Sequence, residues 1–384
     1  VKNFKFSSVG LPYLLVLAMA AGIGSFSASD VVYFKQSGLN ITQIGIMMFC
    51  FNIAVTTAEL PFAILFDKHS AKLTLYIGFS IRISAFVLFA LNWGFSYFLA
   101  AQILAGIATA AGSGTTTAII LNEVKEQNPR NMSMARSRLT LFSSLGSLMG
   151  ASLGLSLFQY FSPGIWWLAC VFFIIALLLV YFFQDKPAES YGVPLKQLIY
   201  NWLEIFKLRP TYLLILCNAC AIGPLMLWQL KFQHISTVFV IAGFYIITLA
   251  SAAAAKLFPV LKLSSTSLKY NIALNIVSVI CFAFASNAWT MPLTFALCVI
   301  VHIILTIQLE VFFHSAVKNN VRASASSIVS LADSALVSIF APIIGLLADQ
   351  FSISIAIALS ALLYLLLFIA AIAAKQSEGH SHAT

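Results

Sequence analysis

The sequence predicts an all-α integral membrane protein, with twelve transmembrane helices arranged as two pseudo-symmetric six-helix bundles. Three observations carry this. Of the 384 residues, 61% are apolar and only 9% are charged, against about 45–50% and about 25% in soluble domains. Twelve spans of roughly 20 residues each need about 240 apolar positions, close to what the chain holds. Apolar stretches of spanning length alternate with short polar breaks, and one long break divides them six and six. Finally, Lys and Arg gather on one side of that alternation. These proportions exclude disorder, a disulfide scaffold and a soluble enzyme. The net charge of +9 is explained by basic cytoplasmic loops, so no nucleic-acid partner is expected.

The spans read as 11–34, 43–66, 73–91, 96–121, 139–161 and 165–183 in the first half. The second half holds 211–231, 236–255, 268–286, 290–313, 325–347 and 352–374. Residues 1–183 thus form an N-terminal bundle and residues 211–374 a C-terminal one. Residues 184–210 form a cytoplasmic linker, and residues 375–384 a short cytoplasmic tail. The breaks are turn-like, as at Gln36-Ser37-Gly38, Asn92-Trp93-Gly94 and Ser162-Pro163-Gly164. Within the linker, Leu195, Leu198, Ile199, Trp202, Ile205 and Phe206 follow helical spacing among charged residues. That pattern reads as an amphipathic helix at the membrane surface, either a strut coupling the halves or a solvated tether. No cleavable signal peptide is expected, because Val1-Lys2-Asn3-Phe4-Lys5 runs into a segment long enough to span.

Eighteen of the 21 Lys and Arg residues fall in the N-terminus, the even-numbered breaks and the tail. Lys35 and Lys231 lie on the opposite side, and Arg82 lies within a span. This bias places both termini in the cytoplasm, in an inner or plasma membrane. The halves also look duplicated. Glu123 ends span four and Glu310 ends span ten, and each is followed by a basic turn. Arg136 before span five and Arg322 before span eleven are 186 positions apart.

The break between spans two and three reads Leu65-Phe66-Asp67-Lys68-His69-Ser70-Ala71-Lys72. It resembles the cytoplasmic loop motif Gly-x-Leu-Ala-Asp-Arg-x-Gly-Arg-Lys of the major facilitator superfamily. Leu65, Asp67, Lys68 and Lys72 fit, while Ala63, Ser70 and Ala71 replace two glycines and an arginine. Ala101-Gln102 through Gly106 and Ala110 resembles the superfamily's span-four motif, with Gln102 in the place of its arginine. Gly146-x-x-x-Gly150-x-x-x-Gly154 resembles its span-five antiporter motif without the proline. Trp228-Gln229 also looks like members of the superfamily. Gly345-x-x-Ala348-Asp349 mimics the loop motif but falls on the outer side. The resemblance implies a rocker-switch secondary transporter. Spans 1, 4, 7 and 10 would then line a cavity, spans 2, 5, 8 and 11 would form the interface of the halves, and the rest would be peripheral.

Charges at the bilayer centre cost about 2.5–3.5 kcal/mol on insertion scales, so each needs a reason. Asp333 lies eleven residues after Arg322, roughly 16 Å into the membrane, and is the first candidate for proton coupling. Glu59 and Asp30 are the next. Glu59 and Arg82 sit at similar depth on neighbouring spans and are expected to form a buried pair, either structural or proton-switched. Asp67, Lys68, Lys72, Glu123, Arg136, Glu310 and Arg322 read as an inner-gate charge network or as interfacial anchors. His302, Gln102, Thr109, Ser113, Thr116, Trp228 and Gln229 are candidates for contact with a solute. A structural histidine and small-residue packing are the alternatives for His302 and for the span-four stripe.

The function expected is therefore secondary active transport of a small organic solute, proton-coupled, with export by antiport slightly favoured over nutrient uptake. Membrane acids slightly outnumber bases, which suggests a cationic or zwitterionic solute. A membrane-embedded enzyme would need a convergent nucleophile or metal cluster that the chain lacks. No Gly-x-x-x-x-Gly-Lys is present to cradle ATP. Neither Cys217-x-x-Cys220 in mid-span nor His380 and His382 in the tail has the context of a metal or redox site. No metal and no cofactor is expected. The partners expected are the solute, protons and the lipid bilayer, with the chain a monomer.

Overall fold

The computed structural model describes residues 10–68, 71–112, 132–182, 205, 208–261, 267–317 and 322–381. Inside helices, the side chains of 60, 63–68, 71, 132–137, 237, 322–324, 326–327 and 373–381 are outside the description. Among the described residues the secondary structure is entirely helical. The helices are α1 (Leu11–Ser27), α2 (Asp30–Gln36), α3 (Ile41–Lys68), α4 (Ala71–Leu91), α5 (Phe95–Gly112), α6 (Met132–Tyr160) and α7 (Gly164–Tyr181). They continue as α8 (Arg209–Cys220), α9 (Ile222–Gln233), α10 (Thr237–Leu261), α11 (Leu268–Phe284), α12 (Thr290–Ala316), α13 (Arg322–Gln350) and α14 (Ile353–Ser381).

Ten of these segments are long and apolar enough to cross a membrane, with α8 and α9 together counting as one. The pair α1 and α2 adds an eleventh, bent by 41°. The apolar helix α11 is slightly shorter, at 17 residues. This is the twelve-span pattern of the sequence, with one span broken at Ala28-Ser29 and another interrupted at Ala221. The linker reading rests on residues that are mostly outside the description, and of its greasy face only Ile205, which is buried, is described.

The chain divides into two compact units. One contains Val1–Leu39 and Cys50–Tyr191, and the other contains Asn40–Phe49 and Gly192–Thr384. Helix α3 therefore begins in the second unit and continues in the first. Below, the basic end of a unit is the end holding the even-numbered breaks, and the far end is the other.

In unit 1, α1 and α6 pack at backbone distance. A Cβ on Gly146, Gly150 or Gly154 would collide with the carbonyl oxygens of Leu17, Ala21 and Ser25 in turn. Without a water-driven hydrophobic effect between spans, such close approach is a main source of helix association. The far end of unit 1 is an aromatic cluster. Trp166 stacks on Phe89 at 4.4 Å and on Phe26 at 4.8 Å. Phe34 meets Phe89 and Phe98 at 5.4 and 5.3 Å. Unit 2 repeats the motif with Phe232, Phe282 and Phe295, where Phe282 and Phe295 lie 4.8 Å apart and Phe232 and Phe295 lie 5.3 Å apart.

Candidate functional site

The centre of unit 2 carries a polar cluster built by four helices. Asp333 comes from α13 and is half-buried. The Asn218 side chain on α8 hydrogen-bonds its carboxyl, yet among the described residues the buried Oδ1 has no hydrogen-bond partner. The neighbouring Cys217 lies 3.8 Å from the Thr306 hydroxyl on α12 and within electrostatic reach of Asp333 and Glu310. Thr306 donates to the His302 carbonyl one turn earlier, at 3.1 Å. The His302 ring is 2.9 Å, through Nδ1, from the Tyr364 hydroxyl on α14. Tyr364 is fully buried. Polar contacts thus run from α8 through α12 to α14, with the Asp333 carboxyl beside their α8 end. Buried polar atoms are normally satisfied; Asp333 Oδ1 is one of five buried side-chain atoms without a partner among the described residues, and it alone belongs to a carboxyl.

His302 is held in this cluster by Tyr364. Trp228 is buried, stacks on Phe295 at 5.8 Å, and fills the space left by Gly243 of α10. Gln229 is buried beside it in sequence.

The expected Glu59–Arg82 pair does not form. Arg82 instead donates from Nη2 to Thr109 on α5, and its guanidinium lies 5.9 Å from the ring centres of Phe86 and Phe173. Neither Glu59 nor Arg82 registers the other's charge. Equal depth is not enough. Arg82 is turned toward α5 and α7, and Glu59 lies on another helix with no claim on that direction. Thr109 donates its own O–H to the Ala105 carbonyl at 2.8 Å. Gln102, two turns earlier on α5, is half-buried and has no hydrogen bond among the described residues. Ser113 and Thr116 fall outside the described residues.

Asp30 sits just after the break in the first span, and its Oδ1 accepts from the Val31 amide at 2.9 Å. A carboxylate at the start of α2 suits the positive end of that helix. Of the inner-gate residues, Lys72 donates to the Tyr181 carbonyl at the end of α7, at 2.8 Å, with its ammonium 5.3 Å from the Tyr181 ring. This is a favourable place for a cation. Glu310 is exposed on α12. The side chains of Asp67, Lys68, Glu123, Arg136 and Arg322 lie outside the description.

Two features escape the sequence reading. Lys231 reads from sequence as an outer-side cation, but it is only 5% exposed. It donates to the Ala283 carbonyl at 2.8 Å and to the Ser354 hydroxyl at 3.1 Å, over the Phe282 ring at 5.7 Å. Asp349, on the wrong side for the loop motif, caps the start of α3. Its Oδ1 accepts from the Ile41 amide at 3.0 Å, and its Oδ2 from the amide and hydroxyl of Thr42 at 2.7 and 2.8 Å. Close backbone contacts at Gly45 and Gly345 accompany this cap. The signal is present in Gly345-x-x-Ala348-Asp349, but its partner lies 308 positions away.

A model of the Major Facilitator Superfamily matches residues 11–317. Among solved structures, the chain is similar to the nucleoside transporter NupG, at 16% identity and a TM-score of 0.80, covering 95% of this chain and 98% of that one. The D323A mutant of NupG gives 14% identity and a TM-score of 0.82, covering 95% and 99%. A POT family transporter in complex with 5-aminolevulinic acid gives 11% identity and a TM-score of 0.74, covering 94% of each chain. At these identities the likeness is one of fold. No curated protein matches the sequence. With spanning helices in the expected order, a duplicated far-end aromatic motif and a family match over most of its length, the chain belongs to the Major Facilitator Superfamily of membrane transporters.

Proposed function

We propose that this chain is a proton-coupled secondary transporter of a small organic solute. It works by alternating access, with six spans in residues 1–183 and six in 211–374, and Asp333 carries the coupling proton. The observation that carries the reading is the buried, unpartnered Oδ1 of a carboxyl in mid-span, held at its other side by Asn218. A carboxyl so placed gains or loses a charge in a low-dielectric setting, where one charge changes the balance between two conformations by several kcal/mol. The lysine bias supports both termini on the cytoplasmic side of an inner or plasma membrane. The chain acts as a monomer and performs no enzymatic step.

The span-five glycine motif lends no weight to antiport. All three glycines are used to seat α6 on the α1 backbone. The test begins with a thermal-stability screen of metabolites against the purified protein, since a ligand of the native state raises apparent stability by mass action. The strongest stabiliser is then assayed in proteoliposomes. Accumulation driven by an imposed pH gradient and abolished by a protonophore is expected. Flux that merely equilibrates the solute would contradict proton coupling. Reporter fusions at Thr384 and in the central linker should both give cytoplasmic signal, and an external signal from either would overturn the orientation.

A further inference from the structure

Among the described residues of unit 1, the membrane interior holds a cation with no paired anion. Arg82 lies twelve residues into α4, roughly 16 Å from its start. A guanidinium has five N–H donors in a planar fork, and among the described residues Arg82 spends them on one neutral hydroxyl, that of Thr109. Glu59, the acid at its depth on the neighbouring span, does not pair with it. The rings of Phe86 and Phe173 lie against the guanidinium. Both ring centres are 5.9 Å from the guanidinium carbon, within cation–π range, and neither ring accepts an N–H hydrogen bond as an anion would. Buried cations without a paired charge are expensive, and natural spans keep them where they meet an ion, water or a solute.

The helix that holds Thr109 offers a second contact. Gln102 precedes Thr109 by seven residues, so both project within about 20° of one another on α5, about 10 Å apart. The Gln102 amide is without a hydrogen bond among the described residues. Arg82 and Gln102 therefore mark the two ends of a short polar track.

We infer that Arg82, positioned by Thr109, binds the carboxylate or phosphate oxygens of a solute whose other end reaches Gln102. The fork geometry accepts either oxyanion through two parallel N–H···O bonds. The inference deepens the transporter reading and rests on it for the word solute. Of the cationic and zwitterionic solutes expected from the sequence, it favours the zwitterion, through its acidic group.

The test does not depend on transport or on knowing the solute. Gln102→Cys is made in a background with Cys50 and Cys281, the two native thiols that are not buried, replaced by serine. Labelling of the introduced thiol by an anionic sulfonatoethyl and by a cationic trimethylammonium-ethyl methanethiosulfonate is followed by mass spectrometry. Rates are normalised to free cysteine. With Arg82 present the anionic reagent should be favoured about tenfold, as local potentials concentrate counter-ions by that order. Arg82→Gln should remove the preference and Arg82→Lys should keep it. Thr109→Asp supplies the missing carboxylate, so it should collapse the ratio while raising the melting temperature, and it serves as the second readout if Arg82→Gln does not fold. Equal normalised rates with Arg82 present, a ratio unchanged in Arg82→Gln or Thr109→Asp, or an introduced thiol unreactive to both reagents would overturn the inference. A failed coupling test at Asp333 would leave this ratio untouched, so the two failures are distinguishable.

Discussion

The seam between spans one and five and the seam between spans seven and eleven are built from corresponding stretches, but they do different work. In unit 1, Gly146, Gly150 and Gly154 let α6 touch the α1 backbone, and Gly24 is pressed against Ser147. A shift of 186 positions, the spacing of Arg136 and Arg322, turns these residues into Ala332, Leu336 and Phe340, and turns Ser147 into Asp333. None of the three is a glycine, and next to Ala332 the Asp333 carboxyl is hydrogen-bonded by Asn218 of α8. One seam is a backbone weld. The other is a polar joint with one unsatisfied oxygen. Corresponding stretches thus carry glycines at one seam and a carboxyl at the other.

The comparison is broken most severely from the glycine side. Gly150→Leu should abolish folded protein, read as loss of the monodisperse peak in size-exclusion chromatography, because even a Cβ there meets the Ala21 backbone. Leu336→Ala at the corresponding place should leave that peak intact. It should cost less than the about 2–5 kcal/mol of a fully buried leucine, since Leu336 is only half-buried.

The far ends offer a second contrast. Trp166 fills the aromatic cluster of unit 1, while in unit 2 the space beside Phe282 is taken by the Lys231 ammonium and Ser354. Trp166→Ala should lower stability by about 3–5 kcal/mol. Lys231→Met should be neutral or stabilising, because a buried cation held only by neutral acceptors repays little of its desolvation. A large loss on Lys231→Met in thermal unfolding would show that the ammonium is a structural strut.

Asp349→Ala removes three hydrogen bonds from the start of α3 and should cost about 0.5–2 kcal/mol, the range of a helix cap. Smallest of all is the coupling between Glu59 and Arg82. With no contact between them, the double change Glu59→Gln with Arg82→Gln should be additive to within about 0.5 kcal/mol. A larger coupling energy in that cycle would restore the buried pair.

The architecture is legible because hydropathy and charge report position along the membrane normal. Spans, breaks and the repeat offset all follow from that single coordinate. What a side chain touches depends on rotation about the helix axis, which the sequence carries only through partners distant in the chain. Glu59 and Arg82 match in depth and miss in rotation. Lys231 looks like a loop cation because the break follows it within a few residues, yet α11 and α14 supply a carbonyl and a hydroxyl that draw it inside. The role of Asp349 is hidden because the partner of its carboxylate is the start of α3 rather than a charged residue. Asp333 is the reverse case. A lone acid in mid-span is visible from depth alone, and the structure adds that one of its oxygens has no partner among the described residues.

The most direct test of the coupling role is Asp333→Asn in proteoliposomes, which keeps the shape and the Asn218 contact while fixing the side chain in a neutral form. The measurement compares uphill accumulation under an imposed pH gradient with exchange of labelled for unlabelled solute at equal pH. The account predicts that accumulation falls to the level of empty vesicles while exchange persists within a few-fold of the parent, and that Glu310→Gln slows both without removing the pH dependence. Accumulation by Asp333→Asn equal to that of the parent would contradict it and place the proton on Glu59 or Asp30.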